Sequence, residues 1–87
     1  MIITKKDLAN KITNFLHHEI SVAELVNWAE NAIMESDFDE KDSENLKRIT
    51  ALIGLADTKA FGLTIDECEA FLNQLGYELE FEVKEKQ

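Results

Sequence analysis

The stretch that most constrains this fold is residues 20–34, Ile-Ser-Val-Ala-Glu-Leu-Val-Asn-Trp-Ala-Glu-Asn-Ala-Ile-Met. Ser21 and Glu24 form an S-x-x-E capping box, in which each side chain satisfies a backbone N–H that the first helical turn leaves unpaired. Ile20 and Leu25 flank the cap at the staple positions. Val22, Leu25, Val26, Ala29, Ala32 and Ile33 recur every three or four residues and so share one helical stripe. Glu24, Asn27, Glu30 and Asn31 fall on the opposite side, and Trp28 sits at the stripe's edge. A helix with one apolar stripe buries it against other helices, which predicts a bundle.

Two more helix starts carry the same signature. Thr4 and Asp7 pair as a capping box with Ile3 and Leu8 as the staple, opening a helix whose inner face is Leu8, Ile12, Phe15 and Leu16. His17 and His18 end it, where positive charge suits the helix dipole. Thr64 and Glu67, with Leu63 and Cys68, open another helix that turns Ile65, Cys68, Phe71, Leu72 and Leu75 inward and stops at Gly76, a residue suited to the C′ position. Between them a third helix holds Leu46, Ile49, Leu52, Ile53 and Ala56, with Gly54 as a weak or closely packed point. Its N-cap is Asp39 or Ser43. The expected helices lie near 5–18, 22–35, 43–57 and 65–75, with Leu25, Ala29, Ile33, Ile49, Ile53, Phe71 and Leu72 buried together. After Gly76 the period changes to two. Tyr77, Leu79, Phe81 and Val83 alternate with Glu78, Glu80 and Glu82, the pattern of a short strand. A lone strand needs a partner, and the candidates are residues 1–3, a second copy of the chain or another protein. Residues 84–87 are expected to fray. The fold class is therefore all-α, a compact four-helix bundle with a short C-terminal strand or extended segment, in one domain spanning residues 1–87.

The chain has no proline and three glycines in 87 residues, which fits long helices and few turns. Its net charge is −9, a balance that repels phosphate backbones and anionic membranes and favours basic partners, and that also aids solubility. The acid is concentrated. Residues 35–44, Glu-Ser-Asp-Phe-Asp-Glu-Lys-Asp-Ser-Glu, hold six carboxylates and one lysine, as a loop or as the solvated start of the third helix. Phe38 is either an aromatic anchor for a partner or a core residue tucked under the third helix.

The chemistry-bearing patterns fail on spacing. Asp37 and Asp39 begin like a calcium loop, but Lys41, Asp42 and Arg48 stand where a ligand, a glycine and a glutamate are required. His17 and His18 point about 100° apart on a helix and cannot chelate one metal as an i, i+4 pair would. Cys68 lies on an apolar stripe beside Asp66, Glu67 and Glu69, which disfavour a thiolate. Lys47 and Arg48 are too few for a nucleic-acid footprint. No enzymatic activity, cofactor or metal is expected. The single cysteine, the lack of a signal-peptide pattern and the absence of a run of about eighteen apolar residues make the cytoplasm the expected compartment.

Two resemblances bear on function. In size, acidity and four helices the chain resembles acyl carrier proteins, whose modified serine opens a helix in an Asp-Ser-Leu motif. Here Asp42-Ser43-Glu44 supplies the serine with Glu in place of Leu, and the preceding Leu-Gly is missing. That resemblance implies modification at Ser43. The whole chain also resembles the small acidic immunity proteins of bacterial toxin systems, which neutralise a cognate toxin, often a nuclease, by masking it. This resemblance implies a non-catalytic one-to-one inhibitor inside the producing cell. The carboxylates expected to face a basic partner are Asp37, Asp39, Glu40, Asp42 and Glu44 with Phe38, followed by Glu78, Glu80 and Glu82. An adaptor or structural interaction module is the other class left open.

Overall fold

The computed structural model describes residues 2–56 and 63–77. Within them the order is β1 (Ile2–Ile3), α1 (Lys5–Leu16), α2 (Val22–Glu35), β2 (Asp37–Phe38), α3 (Ser43–Gly54) and α4 (Ile65–Gln74). The protein is mostly helical, with four helices and a small two-stranded sheet among the described residues. No helix among them is long and apolar enough to cross a membrane. Residues 78–83, most of the expected C-terminal strand, and residues 84–87 lie outside the described residues.

All three capping boxes form. The Thr4 hydroxyl accepts from the Asp7 N–H at 3.2 Å, and the Asp7 carboxylate accepts from the Thr4 N–H at 3.0 Å. Ser21 with Glu24 and Thr64 with Glu67 repeat the exchange. The staple residues Ile3, Leu8, Leu25, Leu63 and Cys68 are buried and Ile20 is half-buried, so these three helix entries are fixed both by hydrogen bonds and by packing.

Two helix ends, those of α4 and α1, carry a left-handed residue. Gly76 has φ +91°. Its N–H donates to Asn73 O, and the Tyr77 N–H donates to Leu72 O, which together make a Schellman motif. His18 plays the same part for α1 at φ 62°, with His18 N–H to Phe15 O and Glu19 N–H to Asn14 O. α1 therefore stops at Leu16 rather than near residue 18, and neither histidine is in its last turn. A side chain in this region strains against its own backbone, a strain that glycine escapes. His18→Gly is expected to raise stability by up to about 1 kcal/mol, the relieved strain of roughly 1–2 kcal/mol less the entropic cost of glycine, read as a higher urea midpoint at unchanged slope.

α3 begins at Ser43, as expected, but departs from the expectation in its cap and at its end. Its N-cap is Asp42, neither Asp39 nor Ser43, and makes no side-chain cap bond. It ends at Gly54 with Leu55 as C-cap. Gly54 is thus a terminal residue, and among the described residues a Cβ there would meet only the Glu30 Cγ at 3.8 Å.

α2 and α3 form the most extensive helix pair, and α1 packs on α2, α3 and α4. Leu8, Ile12, Leu25, Ala29, Ile49, Ile53, Cys68, Phe71 and Leu72 meet in one core. Trp28 packs at its edge beneath the Lys11 ammonium, 5.8 Å from the ring centre, a cation–π arrangement. Three expected core residues are exposed instead. Leu52 is 38% exposed and Thr50 is buried in its place, because Leu46, Ile49 and Ile53 together centre the buried arc of α3 nearer to position 50 than to position 52. The Thr50 hydroxyl has no hydrogen-bond partner among the described residues. Ile65 sits in the first turn of α4, exposed. Ile33 is 44% exposed, beside the small Ala51 of α3.

The sheet is the element that the period of the sequence does not reveal. β1 and β2 run parallel, with Ile2 paired to Asp37 and Ile3 to Phe38. Alternation in a strand sends neighbouring side chains to opposite faces. Ile3 and Phe38 therefore enter the core while Ile2 and Asp37 stay outside.

Candidate protein-binding groove

The acidic segment after α2 is a strand and a turn held in place. The Asp39 N–H extends the ladder to Ile3 O at 2.9 Å. The Asp39 carboxylate accepts from the Lys41 N–H at 3.2 Å, and the Asp42 N–H donates to Asp39 O at 3.1 Å. Asp39 thus closes an Asx turn through its side chain and a β-turn through its carbonyl. This explains why it does not cap α3, which begins only after the turn is complete.

The carboxylates divide between two surfaces. Asp37, Asp39 and Glu40 border a groove of about 970 Å³ that also contains Ile2, Ile33, Ala51 and Lys47. Its apolar side is exposed, with Ile2 at 62%. Asp42 and Glu44 border a second, polar groove of about 670 Å³ with Asn45 and Arg48, and Glu40 stands between the two. Arg48 bonds to Asn45 Oδ1 and Gln74 Oε1, and the Asn45 amide donates to Gln74 O at 3.0 Å. This guanidinium therefore ties α3 to the end of α4. Phe38, at 8% exposure, belongs to the core and supports the first groove from beneath. Glu78, Glu80 and Glu82 lie outside the described residues.

Reading the sequence finds the acids and misses the apolar half of the groove. Ile2 and Ile33 reach it through strand pairing and through a gap beside Ala51, and neither cause has a local signature. The available hint was that α2 ends in two large apolar residues, Ile33 and Met34, where a single stripe needs one.

The reactive groups are elsewhere. Burial, and then the Glu67 carboxylate, push the Cys68 thiol up to about 11. The thiol stays protonated at neutral pH, and its share of stability is full below its ordinary 9.0 and lost as pH rises toward 11. Ser43 is half-buried as the first residue of α3. Among the described residues no three His, Cys, Asp or Glu side chains are grouped to hold a metal ion. No protein-family model, curated protein or solved structure matches the chain.

Proposed function

We propose that this is a non-catalytic acidic binding protein that acts by covering a basic protein partner, and in particular an immunity protein that masks a cognate bacterial toxin such as a nuclease. One observation supports this most. Asp37, Asp39 and Glu40 stand on a strand and turn fixed to the core, around exposed Ile2 and Ile33. A fixed charged rim beside an apolar surface steers a basic partner and then gives it something to bury against. A nuclease site shaped for phosphate has the complementary sign. The same acidity opposes direct contact with nucleic acid or an anionic membrane.

The test uses the product of a neighbouring reading frame that co-purifies with this chain. Asp37 and Glu40 are exposed and hold no turn, so reversing both to lysine leaves the fold intact, whereas Asp39 is occupied in the Asx turn. Asp37→Lys/Glu40→Lys is expected to slow association about tenfold at low salt and to change dissociation much less. The difference shrinks as salt shortens the screening length to roughly 8 Å. Equal association rates at low salt would remove the segment from the interface and pass the role to Glu78, Glu80 and Glu82.

A further inference from the structure

A second cleft, of about 320 Å³, lies between α2 and α3 beside the acidic groove. Ala51 and Gly54 form its floor above the buried Thr50, and Ile33, Met34 and Leu55 form its walls. Among the described residues, Glu30 is the only charged one lining it. The floor is open because the α3 residues facing α2 there are small. The walls are large and exposed, Met34 at 79%. Apolar walls of this kind around a hole are what a buried anchor side chain requires of its receptor, and a methionine wall adapts to the shape that enters.

Ile33 and Ala51 line both this cleft and the acidic groove, so the two are one continuous surface. Charge selects the occupant. Glu30, Asp37, Asp39 and Glu40 outnumber Lys41 and Lys47 along the combined surface, and the net charge of −9 opposes a second copy of the chain. Resting on the binding reading above, we propose that the α2–α3 cleft receives one large apolar side chain of the basic partner. That side chain comes from a segment whose flanking lysines or arginines face Glu30, Asp37 and Glu40. The acidic rim sets how fast the partner arrives, and the cleft sets how long it stays.

A defined probe tests this on the full chain: a synthetic peptide with one tryptophan between two pairs of lysines, against the same peptide with alanine at the centre. Titration at low salt, followed by calorimetry and by the methyl signals of Ile33, Met34 and Leu55, is expected to show at least tenfold tighter binding of the tryptophan peptide and shifts at those three methyls. Met34→Ser/Leu55→Ser alters two exposed side chains and is expected to erase the tenfold difference while leaving the alanine peptide unchanged. Asp37→Lys/Glu40→Lys is expected to weaken both peptides alike. Equal affinity for the two peptides, or a tryptophan advantage that survives the double serine substitution, would overturn the cleft assignment and leave the acidic reading standing. Affinities of both peptides left unchanged by the charge reversal would overturn the acidic reading and, with it, the flanking-charge half of this proposal. Self-association of the wild type in sedimentation, abolished by the serine pair, would show that the occupant is a second copy.

Discussion

Phe38→Ala is expected to cost about 3–5 kcal/mol of folding stability. The ring enters the core from a strand only two residues long, Asp37–Phe38, against a β1 of equal length. So short a ladder contributes little by itself, and the inward side chains Ile3 and Phe38 are what fasten it. Removing the ring leaves a cavity under the acidic groove and loosens the turn from Asp39 to Asp42. Stability and partner binding should therefore fall together. Asp37→Ala, the exposed neighbour, is expected to stay within about 0.5 kcal/mol. Urea unfolding of the two variants decides the matter. If Phe38→Ala leaves the midpoint unchanged, the ring is at the surface and free to anchor a partner.

Leu25→Ala should cost about 2–5 kcal/mol, by lost transfer energy and by the hole it leaves. Leu25 is fully buried and serves two purposes. It is the fourth residue of α2, against Ile20 before the cap, and it lies in the core that α2 shares with α3. The expected loss is a large part of the roughly 5–15 kcal/mol that holds a small domain together. Thermal melting followed by circular dichroism should show a lower and broader transition. A midpoint equal to that of the wild type would mean that α2 turns another face inward.

Helix starts were legible to the residue wherever a capping box was present, because the box is a local contract between residues three apart. Thr4, Ser21 and Thr64 needed no tertiary information. α3 lacks the box, and its start was ambiguous in the sequence for that reason. Ends were legible where glycine takes the left-handed position, as at Gly76, and hidden where histidine does, as at His18. Apolar character placed Leu52 inside, and geometry placed Thr50 there, since the helical period counts angle rather than chemistry. The β1–β2 pairing left no trace, because two-residue strands are too short to show a period and their meeting depends on how α1 and α2 pack. The acidic half of the groove was visible as composition. Its apolar half was not, since Ile2 becomes a neighbour of Asp37 only through that pairing, and the exposure of Ile33 depends on how α2 and α3 meet.

The parallel ladder joins the beginning of the described chain to a strand that follows two whole helices. Closing so long a loop carries an entropic cost that must be met before the ladder contributes anything. The α2–α3 pair, adjacent in sequence, has no such delay. The surface proposed to meet a partner is then expected to be completed late in folding and to be among the first pieces to open in the native state, ahead of the helices beneath it. Recognition and this closure are linked equilibria. A bound partner that grips the groove holds the ladder shut, and the Asp39 amide, donated to Ile3 O across the strand pair, becomes a hydrogen-exchange reporter of occupancy that needs no contact with the ligand itself.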